Sequence, residues 1–187
     1  IGASYYFTPP SEAGPATKAS ISVFRQTEPV TIPKIVRDFV GSERRDDGKT
    51  FMGLNAELAR PAYPDAARKM PPVWLIPGAE ENVMALSIAK DGRSAGGGGG
   101  AITDQFFTKY GMVMFQPGLK HSDHRTQLTV FVPDSITLVK VKTKRRGKKG
   151  KIHRFTPHDN VVVANLKHTV AVIINDQKTA VTPPRRG

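Results

Sequence analysis

The sequence predicts a mostly β protein: an antiparallel sandwich, jelly roll or barrel, with a few short helices in its first half. Two observations carry this. After residue 111 the chain reads as short apolar segments, GMVMFQ, TQLTVFV, SITLVKVKT, KIHRFT, NVVVANL and TVAVIIN. Turn-forming stretches PGLKHSD, PDS, RRGKKG, PHDN and KH separate them, a spacing that suits antiparallel strands rather than βαβ units.

Residues 1–20 (IGASYYFTPPSEAGPATKAS) are rich in Pro, Ser, Ala and Gly and read as an extended N-terminal arm. A single β-rich domain is expected over 21–187. Within it, ISVFRQ suits a strand. TIPKIVRDFVG suits a short helix, with Thr31 as N-cap, Pro33 in the first turn and Gly41 after the end; a strand competes, because Ile32, Ile35, Val36 and Val40 also suit one. SERRDDGK is a solvated turn. FMGLNAELAR spaces Phe51, Leu54 and Leu58 as a helix would, and Pro61 stops it. PPVWLIPG and ENVMALSIAK are strands, with Trp74 read as a core residue. Five consecutive glycines in DGRSAGGGGGA predict a Gly-rich loop at 95–101, since glycine loses the most entropy in any regular element. Thr103 caps a brief helix through DQFFTKY, ending at Gly111.

The segment 138–156 predicts a basic β-hairpin. Leu138, Lys140, Lys142 and Lys144 alternate with Val139, Val141 and Thr143, RRGKKG supplies the turn, and KIHRF starts the return strand. Lys140, Lys142, Lys144, Arg145, Arg146, Lys148, Lys149, Lys151 and Arg154 put nine cations into fifteen positions, with no acid from Ser135 to His158. Such density neutralises phosphates and releases their counterions, giving sequence-tolerant, salt-sensitive binding. His153 and Phe155 are candidate stacking residues for bases.

The totals agree with an anionic partner. Net charge is +12. Residues 1–93 carry 12 basic and 11 acidic groups, whereas residues 94–187 carry 16 and 5. A field that lopsided favours nucleic acid first, then an acidic membrane surface or protein. The chain has no Cys, so disulfides and cysteine-ligated metal sites are excluded. No apolar run approaches the roughly 20 residues of a membrane helix.

Catalytic patterns are incomplete. Gly92-Arg93-Ser94-Ala95-Gly96 matches the G-x-S-x-G nucleophile elbow, but that chemistry needs a helix after the Ser, and glycines follow instead. His121, Asp123 and His168, with Lys178 downstream, resemble the two-His, one-carboxylate pattern of the non-haem iron 2-oxoglutarate oxygenases, where three protein ligands leave positions open for co-substrate and oxygen. His124 and Arg125 crowd that motif, and a polar loop after Pro117-Gly118 accounts for it. AGGGGGAIT lacks the Lys-Ser/Thr of a phosphate-binding loop. His158 and Asp159 sit in the turn PHDN. The reading is therefore a non-enzymatic structural subunit with no cofactor or metal. It belongs to a large nucleic-acid-containing assembly, a viral coat or virion protein; the alternatives are a ribosome-associated, cytoplasmic RNA-binding protein and, in a different class, the oxygenase built on His121, Asp123 and His168. A coat role would lay the arm and the terminal PPRRG along neighbouring copies.

Overall fold

Strand β8 (Arg125–Phe131) sets the architecture in the computed structural model, which describes residues 5–64, 71–88, 95–117 and 125–180. Leu128 and Val130 are buried on one face, Thr129 and Phe131 on the other. A strand buried on both faces must be covered twice, so β8 lies in a middle layer. There it pairs with β7 (Met112–Pro117) and β11 (Val161–Lys167).

One outer sheet has the order β3 (Arg60–Ala62), β4 (Val73–Pro77), β5 (Asn82–Ile88), β6 (Ala95–Ala101). Alternation divides its residues cleanly. Val73, Leu75, Val83 and Ala85 meet Phe131 and Val161 of the middle sheet, while Trp74, Ile76, Met84 and Leu86 face outward. Helix α2 (Lys34–Ser42) covers that second face with Val36 and Val40. The other outer sheet has the order β10 (Lys151–Phe155), β9 (Val139–Thr143), β12 (Thr169–Ile174), β13 (Gln177–Ala180). Val139, Val141, Val172 and Ile174 pack on Leu128, Val130, Val162 and Ala164. The result is a layered stack of helix, glycine-edged sheet, middle sheet and basic sheet. Among the described residues all strand pairings are antiparallel, and the fold is mostly β.

Several local expectations give way to tertiary context. The glycine run is not a loop: Ala95–Ala101 pairs with β5 along its full length, Asn82 opposite Ala101 through Ile88 opposite Ala95. Close approach explains the composition. A Cβ on Gly97 would land on the Ala85 carbonyl, and one on Gly99 would lie 2.7 Å from the Val83 carbonyl. The N-terminal segment, expected as an extended arm, contains a short strand and a helix. Tyr6 and Phe7 form β1 (Tyr6–Phe7), paired with β2 (Thr50–Phe51), and the Arg45 guanidinium lies 3.6 Å from the Tyr6 ring centre. Residues 15–20 form helix α1 (Pro15–Ser20). Its N-terminal amides are capped from a distant turn: the Glu81 carboxylate accepts from Thr17 N at 2.7 Å, Thr17 Oγ1 at 2.6 Å and Ala16 N at 3.2 Å. A Cβ on Gly14 would meet that carboxylate and push it aside, so glycine there leaves room for the cap.

Ser22–Arg25 is a 3-10 turn rather than a strand. It is tied to the sandwich where Asp134 accepts from Asn160 Nδ2 at 2.6 Å, Arg25 at 2.8 Å and Ser22 N at 3.0 Å. FMGLNAELAR divides into β2, a 3-10 turn at Ala56–Leu58 and β3, because Thr50 and Phe51 are claimed by the arm. Pro33, not Thr31, caps α2, and Gly41 lies inside it. Helix α3 (Gln105–Tyr110) ends at Gly111 as expected. The terminal residues 181–187 lie outside the described residues.

Candidate nucleic-acid interface

The hairpin of 138–156 forms as its alternation requires. Strands β9 and β10 pair with Val139 opposite Phe155, Val141 opposite His153 and Thr143 opposite Lys151. Val139 and Val141 are fully buried. Lys140 and Lys142 therefore share the opposite face with Arg154 and Ile152, their direct partners across the ladder. The connection is closed by Lys148 N donating to Arg145 O at 3.0 Å. Gly147 sits third in that four-residue turn at φ +72°, the left-handed position of a type II turn, where a side chain is strained. The hairpin root is held by Lys144 N donating to His168 O at 2.9 Å. Lys142 runs over Gly150, whose Cβ, if it had one, would sit 3.1 Å from Lys142 Cε.

The cations fall into two groups. Lys144, Arg145, Arg146, Lys148, Lys149, Lys151 and Arg154 are exposed, and Lys142 is half-buried. Among the described residues no acid pairs with any of these. Lys140 differs: its Nζ lies 3.2 Å from Asp176 Oδ1. It also lines a hollow of about 180 Å³ with Thr137, Leu138, Ile173 and Asp176. Asp176 was not legible as a partner in the local sequence. It arrives through the Asn175-Asp176 turn joining β12 to β13, both residues at positive φ as in a type I′ hairpin.

The expected stacking residues are placed elsewhere. Phe155 packs into the core between the basic and middle sheets, and His153 Nε2 lies 3.2 Å from Thr143 Oγ1 on that same inner face. Their register fixes this: they oppose the buried Val139 and Val141. In their place the cationic side presents aliphatic surface, Ile152 at 44% exposure and Leu138 at 39%. The arrangement suits phosphate contact from Lys and Arg, with methylene and aliphatic surface against sugar, and offers no aromatic platform for a base.

Other sequence patterns are not assembled. Ser94 lies outside the described residues, and the chain after it runs on as β6 rather than as the helix an elbow requires. His121, Asp123 and His124 also lie outside them. His168 occupies the one-residue crossover from β11 to β12 at φ +58° and is exposed. Among the described residues no group of three or more His, Asp or Glu is placed to hold a metal ion. His158 and Asp159 tie the end of β3 to the sandwich: His158 Nδ1 is 2.6 Å from Tyr63 O, and Tyr63 N donates to Asp159 at 3.1 Å. Trp74 is buried in the core, as its sequence context predicts. No helix among the described residues is long and apolar enough to cross a membrane. No protein-family model, curated protein or solved structure matches the chain.

Proposed function

We propose that this chain is a non-enzymatic structural subunit of a nucleic-acid-containing assembly, a coat or virion protein, which holds the packaged strand through the β9–β10 hairpin. The supporting observation is the set of hairpin cations without a countercharge. Like charges at such spacing repel, and water and salt screen them only in part. Folding gains nothing from gathering them, whereas a polyanion does. The hairpin projects from an outer sheet whose other face is fully engaged in the core, so a strand can lie along it without disturbing the fold. Contact falls on phosphate and sugar, and binding is sequence-tolerant.

The test is the salt dependence of affinity for a homopolymeric single strand and a mixed-sequence duplex. Replacing Arg145, Arg146, Lys148 and Lys149 together with Ser should flatten the log–log slope by about three to four units. The loss should be equal across sequences. An unchanged slope with the circular dichroism spectrum intact sinks the reading, and the hairpin becomes a protein-docking surface or a solvated loop.

A further inference from the structure

Strand β6 is an edge strand of its sheet, paired on one side with β5. Ile102 N donates to Glu81 O at 3.0 Å, which makes Asn82 and Ala101 a non-hydrogen-bonded pair of the β5–β6 ladder. Alternation then commits Gly96, Gly98 and Gly100 to β5. It turns the amides of Ala95, Gly97, Gly99 and Ala101 away from it, with the carbonyls of Ala95, Gly97 and Gly99. The Ala101 carbonyl already accepts from Asp104 N at 3.1 Å. Gly97 and Gly99 are the exposed members of the run. Among the described residues no donor or acceptor meets their outward groups.

Sheet edges in soluble proteins are normally blunted by charge, proline or shortness. The opposite edge of the same sheet is β3, three residues long with Pro61 at its centre, and the basic sheet ends in β10 with Lys151 and Arg154. Strand β6 has none of these devices over seven residues.

We propose that β6 pairs with β6 of a second copy of this chain, antiparallel across a two-fold axis at Gly98, joining two glycine-edged sheets into one. The sequence AGGGGGA reads the same in both directions. Centred on Gly98, antiparallel pairing sets every outward-facing residue opposite another. Gly97 faces the partner's Gly99, and Ala95 faces the partner's Ala101. Each glycine amide meets a carbonyl, and the Ala101 amide meets the partner's Ala95 carbonyl. An isologous contact requires this kind of self-complementarity, and a foreign strand would gain nothing from the palindrome. With no side chains at the glycines, neither bulk nor charge opposes the approach. The hairpin cations stand two sheet layers away, roughly 20 Å at the usual spacing, about two and a half times the screening length at physiological salt. The pairing is independent of whether the hairpin binds nucleic acid.

Nucleic-acid-free protein, followed by sedimentation and residue-resolved hydrogen exchange over a concentration series, tests this. The mass should rise from 20.4 kDa to twice that value. Over the same range the Gly97 and Gly99 amides should gain tenfold or more protection, while Gly96, Gly98 and Gly100 stay protected throughout. The double variant A95K/A101K sets Lys opposite Lys at both ends and should raise the dissociation constant about tenfold. The variant A95K/A101E sets Lys opposite Glu and should restore or tighten pairing. The Ser-substituted hairpin should dimerise as the wild type does. A monomer at every concentration with freely exchanging Gly97 and Gly99, or a dimer indifferent to both charge pairs, overturns the proposal. If either variant fails to fold, the wild-type exchange pattern still decides.

Discussion

Strand β6 and the hairpin tip both depend on glycine, and they do so for opposite reasons. Gly97 and Gly99 have no left-handed backbone; they are glycine because the neighbouring strand leaves no room for a Cβ. Gly147 has nothing within 4 Å of where a Cβ would be, but its φ of +72° disfavours one. One site is limited by space and the other by conformation. A glycine in a sequence therefore carries two distinct messages, and composition does not separate them.

Substitution by alanine separates them, and the largest effect belongs to β6. Gly97→Ala should cost about 1–3 kcal/mol, because the Cβ meets backbone rather than a side chain that can swing away. The denaturation midpoint should fall with an unchanged slope; a variant as stable as the wild type would mean that β6 lies farther from β5 than described. Gly147→Ala should cost about 1 kcal/mol through backbone strain alone, and Gly147→Asn less, since Asn tolerates the left-handed region. Equal losses for Ala and Asn would argue that the tip is not held in that conformation.

Gly98→Ala should reverse the sign. Its Cβ would meet the Met112 and Met114 sulfurs at 3.4 Å, ordinary contact, so loss of unfolded-state freedom should dominate and stabilise by about 0.4–1 kcal/mol. A clear destabilisation would show that the whole run, not only Gly97 and Gly99, is limited by space.

Acid should leave the contrast untouched. Burial alone would raise the Asp134 pKa, but its hydrogen bonds from Asn160, Arg25 and Ser22 outweigh that and hold it below the usual aspartate range. A depressed carboxylate contributes stability that is present above its unfolded pKa and lost as pH falls through the folded one. Wild type, Gly97→Ala and Gly147→Ala should therefore lose that increment together below about pH 4, with the gaps between them constant. A gap that closes with acid would couple a glycine site to the Asp134 network.

The same contrast shows what could be read from sequence. The strands after residue 111 were legible because their own alternation decides which face is buried, and Val139, Lys140, Val141 and Lys142 fall as the pattern requires. The positions of the hairpin cations were legible for the same reason, but not the Lys140–Asp176 pair, which depends on a turn 36 residues away. The inward placement of His153 and Phe155 follows from pairing register, which a single strand read alone does not supply. Strand β6 was illegible because glycine has no preference of its own, and β5 and the Met112–Met114 surface make the decision. The arm was illegible because the partners of residues 5–25 are scattered across the chain.

That scatter has a consequence for how the protein is made. Helix α1 has six residues, too few to persist alone. Its capping carboxylate follows 65 residues after Ala16. The 3-10 turn behind it is anchored by Asp134, 109 residues after Arg25, and by Asn160, 138 residues after Ser22. Residues 15–25 thus leave the ribosome well before their partners and find their place late, after Asn160 has emerged. Until then Ile21, Val23 and Phe24, buried in the finished fold, lack the strands that cover them, and a chaperone that reads short apolar stretches meets them ahead of those strands.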